Sequence, residues 1–208
     1  MPRMSDEHMA ARRQQILDAA RECFIAKGFH RATMQEILTK ADLSAGAVYN
    51  HFSGKEDIIT AIVDRSVVDA EATYEANKAA ASARPLRRIF EKYVLASLRS
   101  PDLLRDCILN IDGVVEGARN PKLRPLIQGD FNNGVLQLAR TAEAGQASGE
   151  VSKDLDPTQL GQILSALYLG FLCLRLLDSE LDTDALSDTF WAIVEGSLDS
   201  PASNARPE

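Results

Sequence analysis

Alternating runs of Val, Ile and Thr are missing from this 208-residue chain, and aromatic residues make up only 6% of it. Without such runs a β-rich fold is excluded, and the Ala- and Leu-rich remainder reads as helix. Cysteine is scarce. Cys23, Cys107 and Cys173 stand far apart, with no C-x-x-C pair or Cys/His cluster. That excludes a zinc site and a disulfide framework, and leaves reduced, buried thiols of a cytoplasmic protein. The three histidines, His8, His30 and His51, all fall early in the chain. No Ser/His/Asp set, Gly-rich phosphate loop or metal triad can be assembled, so neither an enzyme nor a cofactor is expected. Long apolar runs are also lacking. The longest uncharged stretch, Pro157 to Leu174, is interrupted by Thr158, Gln159, Gln162 and Ser165. Its apolar part is too short to span a bilayer but right for a buried helix. The first ten residues are polar, so no secretory leader is expected, and no membrane partner either.

What is present is an uneven charge. The net charge is −7, yet residues 1–55 hold eight basic and six acidic residues. The acidic excess lies wholly in the remainder. A weakly basic head on an acidic body suits a small module facing nucleic acid, carried by a body that phosphate repels.

Taken in order, residues 1–9 read as a mobile arm. A first helix is predicted over 10–27, with Ile16, Leu17, Ala20, Cys23 and Phe24 on one face and Gly28 as its stop. Thr33 and Glu36 form a capping box for a second helix, which Asp42 ends in a left-handed turn. Ser44 caps a third helix running to His51, with Leu43, Val48 and Phe52 inward. Ser53 and Glu56 form a second capping box for a fourth helix over 55–81. Its buried stripe is Ile58, Ile59, Ile62, Val63, Ser66, Val67, Ala70 and Tyr74. Further helices are predicted over 86–98, 102–118, 123–144, 157–177 and 184–198, about nine in all, the last with Leu186, Phe190, Val194 and Leu198 inward. The end, SPASNARPE, reads as a frayed tail.

Residues 33–55 carry the functional signal. Two short helices joined by a tight turn have the form of a helix-turn-helix, whose second helix lies in the major groove. That helix opens Ser44-Ala45-Gly46-Ala47, and such small side chains allow close approach to DNA. Not one carboxylate occurs from Leu43 to Lys55, where a carboxylate would repel phosphate. Tyr49, His51 and Lys55 supply donors for phosphate oxygens. Small residues at this place equally suit tight packing between two helices, and on residue pattern alone both readings stand.

The stretch G-F-x-x-A-T-M-x-E-I-x-x-x-A-D-L-S-A-G-A-V-Y-N-H-F-S-G-K-E-D-I-I, residues 28–59, closely resembles the N-terminal domain of the tetracycline-repressor family of bacterial regulators. Gly28, Phe29, Thr33, Ile37, Ala41, Leu43, Ser44, Gly46, Tyr49, His51, Phe52 and Lys55 match, and the detailed resemblance covers about residues 10–63. Asp42 in place of a turn glycine, and Leu38 in place of a smaller residue, are departures that touch packing. The resemblance implies an all-α protein with a three-helix DNA-binding domain over 10–55 and a helical ligand-binding and dimerisation domain over 56–200. It implies a homodimer on a palindromic double-stranded operator, usually a repressor released by a small-molecule effector. Thr33, Tyr49, His51 and Lys55 would grip phosphates, while Ser44, Ala45, Gly46, Ala47 and Asn50 would face the groove. The alternative is a helical small-molecule-binding or interaction protein that reads no DNA sequence.

The body is less legible. The helix over 157–177 is apolar nearly all round, so it needs a partner on more than one side, and a twofold mate fits. Leu160, Ile163, Leu164, Leu167 and Phe171, with Phe190 and Val194 of the last helix, are the expected dimer contacts. Candidate effector-pocket residues are Phe90, Tyr93, Cys107, Asn110, Phe131 and Tyr168. Asn110, Asp112, Glu116, Asn132 and Asn133 are polar residues amid apolar ones, and Glu116 is the best candidate for a cationic ligand.

Overall fold

The computed structural model describes residues 6–79 and 82–195, and among them nine helices and no strand occur. They are α1 (Asp6–Arg31), α2 (Met34–Ala41), α3 (Ala45–Tyr49), α4 (Lys55–Ala79), α5 (85–99), α6 (Pro101–Arg119), α7 (Arg124–Ser148), α8 (Pro157–Leu177) and α9 (Thr183–Val194). Within α5 the stretch Phe90–Leu95 is wound as a π-helix. The first five residues of the expected arm, the tail and Leu198 lie outside the described residues, as do the side chains of Ser66, Val67, Ala70 and Tyr74.

The local chemistry mostly acts as predicted. Gly28 takes φ 78°, ψ 160° and breaks the helix where a stop was expected, and one separate turn follows to Arg31. Phe29 folds back so that its ring lies 4.9 Å from that of Phe24. Asp42 adopts φ 53°, ψ 46° and closes α2 through its own N–H. Helix α1 begins at Asp6, inside the expected arm, and α7 runs on to Ser148, past the expected 144. Two further features of the head differ. The recognition-helix candidate α3 ends at Tyr49, two residues before His51. The amide and hydroxyl of Ser53 both bond Asp57, not Glu56, so the second capping box does not form. The helix begins two residues after Ser53, which brings the carboxylate four residues on, not three, back to the cap.

Two apolar cores result. The first gathers Ile16, Ala20 and Phe24 of α1 with Ile37, Val48, Phe52, Ile58 and Ile59. It extends past residue 55 through Ile62 and Val63 of α4, and Leu109 of α6 joins it. The second gathers Phe90, Leu98, Leu104, Cys107, Phe171, Leu172 and Trp191. Its centre is an aromatic cluster in which Phe90 stacks on Phe190 at 4.7 Å and meets Trp191 edge-on at 5.4 Å. Truncating a buried ring such as Phe24 or Phe90 to Ala is worth about 3–5 kcal/mol.

Helix α6 is shared. Leu104, Cys107 and Ile111 lie on its second-core face, while Leu109 enters the first. Helices α7 and α8 run against each other so closely that a Cβ on Gly161 would sit 2.7 Å from the Val135 carbonyl oxygen. At 21 residues, α8 is long and apolar enough to cross a membrane, contrary to the sequence estimate. Its Phe171 and Leu172 face is nevertheless packed in the second core.

Candidate nucleic-acid interface

Residues 33–55 form a compact corner held by short-range bonds. Thr33 Oγ1 accepts the amide of Glu36, and Glu36 Oε2 accepts the amide of Thr33 at 3.0 Å. Ser44 Oγ accepts the amide of Ala47. Val48 and Phe52 are buried beneath, so the opposite face of α3 is forced outward. Ser44, Ala45, Gly46, Tyr49 and Asn50 are exposed, Ala47 and His51 half-buried, and Thr33 exposed at the start of α2.

Gly46 decides between the two sequence readings. A Cβ built on it meets no atom within 4 Å. Packing between helices therefore does not require a glycine there. Gly46 looks into open space, not into a tight helix contact.

Two close ion pairs lie at this corner. Lys27 pairs with Glu36 and Lys40 with Glu22, which lowers both carboxyl pKa values from the usual range. Asp57 is occupied by Ser53. Arg13 lies over the Phe52 ring at 5.0 Å.

Lys55 is engaged within the protein. Its Nζ donates to the carbonyl oxygens of Phe29, His30 and Ala32 at 2.7, 3.1 and 3.0 Å. An ammonium has three protons, and all three are committed within the protein. These bonds close the C-terminal end of α1.

The candidate effector residues separate into groups. Cys107 Sγ lies 3.3 Å from the Tyr168 hydroxyl. Ser97 and Asn110 neighbour that hydroxyl and pull its pKa down, but burial, followed by Cys107, pushes it above the ordinary phenol value. Phe90 belongs to the aromatic cluster of the same core. Tyr93 is half-buried on α5, its carbonyl accepting from Ser97 Oγ. Glu116 does not join them. It is buried near the C-terminal end of α6, where it accepts from Asn120 Nδ2 beside His30 and Arg119. Phe131 is 39% exposed on α7. Trp191 and Ser97, which sequence reasoning missed, belong to this region. Trp191 Nε1 is buried without a hydrogen-bond partner.

The expected dimer residues also divide. Ile163, Leu167 and Val194 are exposed, while Leu160, Leu164 and Phe190 are half-buried. Phe171 is 8% exposed, edge-on to Phe90 and Phe190 within the second core, so it does not belong to the outward face. Leu174, Leu177 and Ile193, absent from the expected set, extend the exposed apolar stripe.

Comparison with known proteins places this geometry in context. The family model described as bacterial regulatory proteins, tetR family, matches residues 16–62. A second, the tetracyclin repressor-like C-terminal domain, matches residues 82–180. The transcriptional regulator UidR of Escherichia coli is 29% identical over 163 residues, spanning 77% of this chain and 79% of its own. Salmonella enterica GusR superposes with a TM-score of 0.75 at 26% identity, covering 90% of this chain and 95% of its own. A Saccharomonospora viridis regulator solved with choline gives 0.74 at 27% identity, with 90% and 97% covered.

Proposed function

The chain belongs to the TetR family of bacterial regulatory proteins and is a helix-turn-helix transcriptional regulator; from that premise we propose that it represses from a palindromic operator as a homodimer and leaves when a small molecule enters the body. The open space around Gly46 carries the proposal. A small, outward, carboxylate-free tip is of use only to a surface that comes very close, and the floor of the major groove is such a surface. Ser44, Ala45, Gly46, Ala47 and Asn50 face the bases, and Thr33, Tyr49 and His51 reach the flanking phosphates. Lys55 holds the head together instead.

The exposed stripe of Ile163, Leu167, Leu174 and Leu177 on α8, with Ile193 and Val194 on α9, supports a twofold interface. The effector site is placed at Tyr168, with Cys107, Ser97 and Asn110, beside the aromatic cluster. This combination of apolar walls and a few convergent polar atoms suits a neutral organic molecule. Choline, found in the Saccharomonospora relative, is disfavoured. Arg87 already lies over the Trp191 ring at 5.2 Å, and Glu116 is too far along α6 to balance a cation.

The test is selection of duplexes from a random pool. An inverted repeat should be recovered, bound by a dimer, with an affinity that falls steeply with salt. Recovery of no sequence above background would remove the operator reading.

A further inference from the structure

The single turn at 28–32 is pinned at both ends by residues from elsewhere in the chain. Gly28 breaks α1, and Ala32 N–H then bonds Gly28 O at 3.2 Å to form one isolated turn. At its amide end, Asp112 Oδ2 on α6 accepts the Phe29 N–H. At its carbonyl end, Lys55 donates to Phe29, His30 and Ala32. A carboxylate at the amide end and an ammonium at the carbonyl end both match the dipole of the turn. The fit at Gly28 is close: a Cβ there would lie 3.2 Å from Asp112 Oδ1.

These contacts join three elements. The turn belongs to the DNA-facing head, Lys55 opens the long α4, and Asp112 sits on α6. Five residues back along α6, about 1.4 turns, Cys107 meets Tyr168 at the proposed effector site. A second bond ties the same two helices, from Arg21 of α1 to Asp106 of α6 at 3.1 Å. The pair is exposed and contributes little by comparison.

We propose that Lys55 and Asp112 form a polar latch on the 28–32 turn that sets the angle of the head on the body, and that Lys55 does not hold operator phosphate. The inference rests on the operator reading above. Both residues are positioning residues, acting on DNA through the turn they hold. Movement of α6 at its Cys107 end pulls on the Phe29 amide through Asp112, and two heads that must meet two half-sites at once are sensitive to such a pull.

The test uses the full-length dimer, the duplex recovered by the wild type, and a scrambled duplex of equal length. Lys55→Met and Asp112→Ala should each weaken operator binding about three- to thirtyfold. Binding to the scrambled duplex, which requires no register between heads, should stay within about twofold, and the salt slope should match the wild type. A phosphate-binding Lys55 would behave differently. Its loss would lower the slope by about 0.9 per head and weaken both duplexes alike, and that outcome overturns the assignment. An unchanged ratio of operator to scrambled affinity in Asp112→Ala also overturns it. A second readout needs no operator. Amide exchange at residues 28–32 should quicken in both variants while that of Ile37 and Ile58 stays slow. Unchanged exchange at the turn refutes the latch even if no operator is found.

Discussion

Replacing Gly46 by Ala should make the protein more stable and the regulator worse. A Cβ at this position meets nothing within 4 Å, and the backbone is ordinary right-handed helix. The folded state therefore accepts the methyl without strain, while the unfolded chain loses freedom. That gain is about 0.5–1 kcal/mol, which for a protein of this size raises Tm by about 1–4 °C. Against DNA the same methyl stands on the face of α3 that nears the bases. An unfavourable contact there costs about 1–3 kcal/mol per half-site. A symmetric dimer meets it twice, so operator affinity should fall by about 25-fold or more, taking about 1.4 kcal/mol per tenfold. Differential scanning calorimetry and operator titration at fixed salt give the two numbers. A raised Tm with undiminished operator affinity would mean that α3 does not enter the groove. A lowered Tm would mean that Gly46 serves the fold after all.

Other substitutions test other parts. Gly161→Ala should lower stability by about 1–3 kcal/mol in urea unfolding, because its Cβ would meet the Val135 carbonyl oxygen at 2.7 Å; a neutral result would show that α7 and α8 part easily. Glu150, 5% exposed at its side chain, accepts the Leu86 and Arg87 amides at the start of α5. Glu150→Ala leaves those amides unsatisfied and should cost about 1–3 kcal/mol, again read in urea. Ile163→Asp, on the exposed stripe of α8, should yield monomers in sedimentation with the helix content intact, and those monomers should lose operator affinity. A dimer that persists at micromolar concentration would place the interface elsewhere.

The sequence was legible where a residue acts on its near neighbours. Thr33 with Glu36, Ser44 with Ala47, and the left-handed Asp42 all bond within four residues, and each was foreseen. The inward Val48 and Phe52 followed from helical spacing, and the outward face of α3 followed from them. Legibility failed where a bond closes a long loop. Lys55 finds carbonyls 23 to 26 residues back, and Asp112 finds an amide 83 residues away. Neither separation leaves a local trace, so the sequence marks Lys55 only as a donor for phosphate and Asp112 only as one more polar residue. On α8 the difficulty was different. A helix apolar on every side has no phase, so Phe171 and Ile163 looked equivalent, though one lies in the core and the other faces out. The aromatic cluster was missed because Trp191 sits beside Phe190 in sequence, and both turn inward near the end of α9.

Hydroxyl-radical footprinting of the selected duplex is the most direct check on the head as reader and the body as its clamp. Two protected half-sites should appear, related by a twofold axis, with centres about 10–10.5 base pairs or a multiple of that spacing apart. A single protected patch bound by one chain, or uniform protection without sequence preference, would contradict the account.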